Sequence, residues 1–385
     1  MNQIKEIFLS LLRSEICGSP MEPQIREQIT PAMLEQLLVI SRNQDLIHIL
    51  AVALKKQKLL TDEKTAAVFQ QCLYHVLVRH EAMEYEKNRI FQLFETEQIA
   101  FVPLKGAVIR KYYPDAWMRT SCDIDILVRE QDLERAKNAL VSACGYRIQS
   151  SKYHDITMYS PGGLLLELHF SIRENMETID RYLERVWEYV RPAEPDSFCY
   201  EMTPEYLLFH AFAHMLYHFV SGGCGVKFIT DIWILEHVLT IDEAVFRTMC
   251  ETCGIGTFVE KVRKLAAVWY GDEQHDSVTS RMEQYILEGG VFGSVQTEVT
   301  ARKTKVPGNW RYIVQRVFVP YKEFCASYPR LEKYPLLYPY YTVKRWCKIS
   351  DKYKVRTAWQ ELKISMDMQP ETVDELKQLF KDLEV

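Results

Sequence analysis

Residues 119–128 read Arg-Thr-Ser-Cys-Asp-Ile-Asp-Ile-Leu-Val, so two carboxylates, Asp123 and Asp125, stand one residue apart inside an apolar, β-prone run. On a strand, alternate side chains leave opposite faces. Asp123 and Asp125 then share one side, and Ile124 and Ile126 share the other. Along a strand the two carboxylates are about 7 Å apart. Ionised carboxylates are costly to bury alone, and two this close repel unless a cation lies between them. Magnesium combines one or two carboxylates with phosphate oxygens, so a D-x-D strand is a platform for magnesium and a phosphate. The alternative is a strand mouth whose aspartates cap a helix or meet solvent.

The flanking residues favour the first reading. Lys105-Gly106 follows an apolar strand candidate, Arg119 precedes Asp123, and Glu167 interrupts the apolar run L-L-L-E-L-H-F. An acid on a neighbouring strand, facing the same way, completes a three-carboxylate site for two metal ions about 3.5–4 Å apart. Asp155, in H-D-I-T-M-Y, is the rival third carboxylate. It ranks below Glu167 because it stands near a strand start, where exposed acids are common. His169 shares a face with Glu167 by strand alternation, and either approaches the site or pairs with a neighbour.

The elements that must position these residues follow from local pattern. Residues 1–98 read as a helical region. Thr30-Pro31 starts one helix, and a long helix runs from about Asp62 to Glu97 with an apolar stripe of Leu73, Val76, Leu77, Met83, Ile90, Leu93 and Phe94. Residues 99–200 read as a small α/β domain. Its strand candidates are I-A-F-V-P-L, D-I-D-I-L-V, Y-R-I-Q-S, D-I-T-M-Y and L-L-L-E-L-H-F, and its amphipathic helix ends near Gly145. Ser160-Pro161-Gly162-Gly163 predicts a hairpin turn. Residues 201–385 turn helical again from Thr203-Pro204, with a break at S-G-G-C-G and an aromatic-rich stretch near 335–346 read as core packing. The fold class expected is α+β, a mixed sheet with helical regions before and after it.

F-V-P-L-K-G-A, Y-Y-P-D-A-W-M-R-T-S-C-D-I-D-I-L-V, the Gly145-Tyr146 pair and L-E-L-H-F occur in that order between Phe101 and Phe170. This series resembles the DNA-polymerase-β-like nucleotidyltransferase superfamily. More narrowly, it resembles poorly characterised bacterial nucleotidyltransferases with an L-K-G…R-x-x-x-D-h-D pattern and a later h-[DE]-h-H segment. H-A-F-A-H-M-L-Y-H and T-D-I-W-I-L are similar to that family's H-x-x-x-H and h-x-D-h segments. The resemblance implies a minimal polymerase-β-like sheet and a magnesium-dependent enzyme that moves NMP from an NTP, with ATP as the expected donor. The acceptor would be a hydroxyl of a small molecule or a protein. Asp123 and Asp125 would bind two magnesium ions, and Glu167 would be the third carboxylate, helping the second metal and accepting the acceptor's proton. Gly106 would let the backbone approach the triphosphate, and Lys105 and Arg119 would offset its charge. The chain departs from the common pattern in having Ala107 after Gly106, and in a longer gap from Gly106 to Asp123. A second reading is therefore a nucleotide-binding regulatory or antitoxin-like protein with weak or no catalysis.

His210, His214 and His218 recur at intervals of four and share one helical face. Histidines so spaced can bind zinc, but no H-E-x-x-H glutamate accompanies them, so they read as lining the nucleotide cleft or packing. His214 and Asp231 are the expected cleft residues, and Lys227 is a phosphate contact or an ordinary surface lysine. S-G-G-C-G-V-K-F lacks the G-K-[ST] ending of a P-loop.

Composition sets the outer limits. The chain has 385 residues, 48% of them hydrophobic, and a formal net charge of −5. That balance gives no global basic footprint for nucleic acid, though a local patch or a partner protein stays open. Ten cysteines are scattered, with Cys250 and Cys253 the closest pair. They read as reduced thiols of a cytoplasmic protein. The N-terminus has helical spacing rather than that of a signal peptide. No run reaches the ~18 uncharged apolar residues of a membrane span.

Overall fold

A computed structural model describes residues 2–385 apart from 152–153, 292, 306–320, 322–323, 326–327, 329, 349–359 and 362. Five helices open the chain: α1 (Asn2–Ile16), α2 (Pro23–Glu27), α3 (Pro31–Asn43), α4 (Ile47–Lys56) and α5 (Glu63–Thr96). The Asp62 carboxylate accepts from the Thr65 amide and starts α5, as an N-cap acid should. The long helix read from the apolar stripe is thus present within a residue at each end.

The central sheet has five strands, β1 (Phe101–Pro103), β2 (Asp123–Val128), β3 (Arg147–Ser151), β4 (Asp155–Tyr159) and β5 (Leu165–His169), in the order β1-β2-β5-β4-β3. Only β2 and β5 run parallel; the other neighbours are antiparallel. The four-residue helix α6 (Gly106–Ile109) follows β1, and α7 (Leu133–Cys144) connects β2 to β3. Gly145, at φ +71°, ends α7 in the left-handed conformation that glycine adopts without strain. The expected hairpin joins β4 to β5, closed by the Ser160 amide donating to the Leu164 carbonyl at 2.9 Å. The α+β class is therefore the observed one, a small mixed sheet with helices on both sides in sequence.

The two faces of the sheet differ in kind. Ile124, Ile126, Val128, Ile156, Met158, Leu166 and Leu168 point to one side and pack on Met83, Ile90 and Phe94 of α5 and on Ala136, Leu140 and Cys144 of α7. The register Asp125↔Glu167↔Thr157 and Leu127↔His169↔Asp155 puts the polar residues together on the other side.

After a short helix α8 (Glu177–Leu183) and a two-stranded ribbon, β6 (Val190–Pro192) with β7 (Tyr200–Met202), come α9 (Pro204–Ser221), α10 (Val226–Val238), α11 (Glu243–Cys253), α12 (Gly256–Tyr270), α13 (Ser277–Gly289) and α14 (Val295–Lys305). Thr203 caps α9 by accepting from the Tyr206 amide. A last helix covers Pro370–Asp382. One apolar core runs from Ile7, Phe8 and Leu11 through Leu50 and Leu54 to Phe209, Phe212, Val262, Ile286 and Phe380. The helical regions before and after the sheet are thus packed together. Buried Gln44 ties them by donating to the Ile286 and Leu287 carbonyls and accepting from the Val226 amide. In the aromatic-rich stretch, Tyr338 and Tyr341 pack on Phe324, Cys325 and Leu331. Leu336 and Tyr340, in contrast, are 94% and 59% exposed, so core packing holds for part of it. The side chains of Arg345 and Trp346 lie outside the described residues.

Candidate active site

Strand β2 is the floor of the site. Asp125 is 2% exposed, and Asp123 is partly buried one rung away on the same face. Chain pairing brings Lys105 over them. The antiparallel β1–β2 ladder ends with the Leu104 amide donating to the Asp125 carbonyl at 3.0 Å, so the next residue turns directly above Asp125. Lys105 makes that turn at φ +47°, ψ −123°, a conformation that costs a non-glycine residue about 1–3 kcal/mol. Its Nζ lies 3.0 Å from Asp125 Oδ1.

Gly106 has a packing reason that the sequence did not show. A Cβ there would come within 2.9 Å of Ser121 Cβ. The Ser121 hydroxyl in turn accepts from Arg110 and donates to the Asp123 carbonyl. The glycine therefore lets α6 close onto the loop that feeds β2.

Glu167 stands opposite Asp125 in the parallel register, and His169 follows one pleat later. His169 Nε2 is 2.9 Å from Asp125 Oδ1 and 3.6 Å from Glu167 Oε2. One donor atom from each of Asp125, Glu167 and His169 lies within 4.8 Å of the others. Two carboxylates and an imidazole converging on one point are a donor set that fits a divalent cation.

A family of uncharacterised nucleotidyltransferases matches residues 30–271. The chain belongs to that family. Its reaction class is nucleotidyl transfer, and the matched span holds every residue of the site described above. No curated protein matches the chain. Among the described residues, no helix is long and apolar enough to cross a membrane.

Charge on this face of the sheet is unevenly shared. Burial pushes the Asp123 carboxyl up to about 6, reinforced by the neighbouring Asp125 and Glu167 charges. Burial opposes ionisation of Asp125 too, but Lys105 and His169 outweigh it and hold this carboxyl well below its ordinary value. Burial works against the Lys105 ammonium, yet Asp125, Glu174 and Asp123 raise its pKa.

The other expected residues fall into distinct places. Asp155 is fully buried, which corrects the premise that its strand start leaves it in solvent. Strand β4 lies between β3 and β5, and Asp155 pairs in register with His169. Asp155 lies 3.1 Å from His154 Nε2 and accepts from the Thr157 hydroxyl. Arg119 and Asp231 are brought together with each other. Arg119 Nε and a terminal nitrogen meet both Asp231 oxygens at 2.7–3.0 Å, and the Tyr113 hydroxyl donates to the same carboxylate at 2.6 Å. Lys227 is buried, at 7% exposure, rather than an ordinary surface lysine. Burial, with Arg119 nearby, lowers its ammonium to about 8.

The α9 histidines form a stack beside the sheet's polar face. His214 and His218 meet edge to face at 4.6 Å between centroids. Burial lowers His210 and His218 to about 3, and holds His214 well below its ordinary value. His214 Nδ1 lies 2.7 Å from Glu174 Oε1, a contact the sequence reading missed. Glu174 sits in a loop, 40 residues from His214, with no periodicity to mark it. Burial raises its carboxyl against the fields of Lys105, His210, His218 and His169. His154 was also missed; its ring stacks on His169 at 6.0 Å and 21°.

Proposed function

We propose that the chain transfers NMP from an NTP to a hydroxyl of a small-molecule or protein acceptor, with divalent cations held on the β2–β5 face. The supporting observation is the excess of acid there. Asp123, Asp125 and Glu167 share one face, while Lys105 and His169 are the cations or cation-capable groups in direct contact with Asp125.

In this reading Asp123, Asp125 and Glu167 hold two cations, magnesium being the first candidate. When bound, the cations activate the attacking hydroxyl and screen charge that develops on the phosphate oxygens. The chain's own residues orient the reactants. Lys105 and Lys227 supply positive charge near Asp123, each lowering its carboxyl's cost of ionisation. Gly106 keeps the turn beside Lys105 without a side chain. Glu167, partly exposed beside buried Asp125, is positioned to accept the acceptor's proton. Glu174 and His214, paired at 2.7 Å, are assigned to the acceptor side of the site. The role of Arg119 and Asp231 is to anchor the loop before β2 onto α10 rather than to touch phosphate directly. A reducing, cytoplasmic setting is part of this reading. ATP is the first donor to test.

The test is incubation of the full chain with α-labelled ATP, magnesium and an acceptor mixture. Label should appear in an acceptor, with pyrophosphate released in equal amount. Divalent-dependent ATP binding without label transfer to any acceptor or to water would favour a nucleotide-binding regulator instead.

A further inference from the structure

We infer that the cation held between Asp125, Glu167 and His169 takes the His169 imidazole as a ligand, so that this position selects first-row transition-metal ions over magnesium. The inference rests on the metal-assisted reading above and adds a nitrogen to a site otherwise built from oxygen.

Geometry carries it. Cis ligands about 2.1 Å from an octahedral ion are about 3.0 Å apart, and the two edges at His169 Nε2 measure 2.9 Å to Asp125 Oδ1 and 3.6 Å to Glu167 Oε2. The ring is held rather than free to swing away. It is 4% exposed, stands on a strand with Glu167 two residues before it, and stacks on His154. Its Nδ1 is buried with no hydrogen-bond partner among the described residues. The ring's polar contacts are at Nε2, facing Glu167 Oε2 and Asp125 Oδ1, the oxygen that Lys105 Nζ also meets at 3.0 Å; ligation through Nε2 puts the ring's proton on Nδ1.

Donor chemistry then separates the ions. Imidazole suits zinc, iron, copper and nickel, whereas magnesium prefers oxygen and keeps its waters. Manganese, the weakest binder of the first-row series, serves as the paramagnetic probe of that nitrogen. Asp123 lies outside this three-residue donor group and stays available, with phosphate oxygens, for a position of oxygen ligands alone. The competing arrangement keeps Nε2–H as a donor to Asp125 and leaves the ion with oxygen ligands only.

The experiment is pulsed electron paramagnetic resonance on the full chain loaded with Mn²⁺ alone. Wild type should show the coupling of a directly bound imidazole nitrogen. His169→Gln should lose that coupling and bind Mn²⁺ about tenfold or more weakly, with Mg²⁺ affinity changing far less and the circular dichroism spectrum retained. An oxygen-only spectrum in wild type overturns the inference whether or not the variant folds. Persistence of the nitrogen coupling in His169→Gln overturns the assignment to this residue. Oxygen-only binding with NMP transfer intact leaves the proposed function standing. Failure to bind Mn²⁺, with or without ATP, removes both.

Discussion

Two clusters of buried charge lie on either side of the loop that feeds β2, and they are built differently. In the first, Arg119 meets both oxygens of Asp231, and Tyr113 donates to the same carboxylate. One positive charge faces one negative charge, and Asp231 has three groups donating to it from two residues. In the second, Asp123, Asp125 and Glu167 share a face, and among the described residues Lys105 and His169 meet Asp125, with Lys227 acting on Asp123 at longer range. A balanced, hydrogen-bonded pair holds structure together, while an excess of one sign keeps an unmet demand for a counter-charge. On that ground we propose Arg119 and Asp231 as an anchor of the scaffold and the acid face as the binding site.

The largest expected effect breaks the anchor. Asp231→Ala leaves Arg119 buried and unpaired, which should cost about 3–5 kcal/mol of stability, read by denaturant unfolding. A loss under about 1 kcal/mol would show that the pair is dispensable. Next in size is catalysis. Asp123→Asn or Asp125→Asn should lower NMP transfer by about 10²–10³-fold or more, since each removes a group that positions charge stabilisation in the transition state. Arg119→Lys, assayed well below its melting temperature, should retain far more transfer than either.

Ligand binding should sharpen the contrast further. ATP with divalent cation at about 100 times its Kd should stabilise the chain by about 2.7 kcal/mol, and EDTA should abolish the shift. An equal shift in EDTA would mean that triphosphate binds away from the acid face. Without metal, the two aspartates should part company. Asp125→Asn removes the counter-charge of Lys105 and should cost about 1–3 kcal/mol. Asp123→Asn removes a charge that burial and its neighbours oppose, so stability should stay equal or rise.

The last expected effect is a pH dependence. The Asp123 carboxyl is pushed up from 3.8 to about 6 in the folded chain. Between those values the folded state keeps a proton that the unfolded state has lost, so stability from this group falls as pH rises from about 4 to 6 and is level above. The difference between wild type and Asp123→Asn, measured in EDTA across that range, should slope accordingly. A difference independent of pH would place Asp123 in a solvent-like environment.

Much of this was readable along the chain. Alternation of period two predicted that Asp123 and Asp125 share a face, with Ile124 and Ile126 behind them, and the β2–β5 register places Glu167 on that face. The stripe on α5, the Gly145 stop and the turn at Ser160–Gly163 were equally local signals. Residues whose partners are far along the chain were not readable. Arg119 and Asp231 are 112 positions apart, and His214 and Glu174 are 40 apart. The exposure expected for Asp155 also failed, because burial at a strand start depends on which strands flank it.

By itself, then, the sequence determined the elements, the polar face of β2 and the kinds of group able to hold a cation. These follow from backbone sterics and side-chain alternation, which act between neighbours. Tertiary structure alone decided which charges are spent on each other and which remain. Sheet order set Glu167 and His169 beside Asp125, the end of the β1 ladder turned Lys105 over it, and the packing of α10 claimed Arg119 for Asp231. A charge's role depends on what else is buried within a few ångströms of it, where the low dielectric magnifies each pairing, and that neighbourhood exists only once the chain has closed on itself.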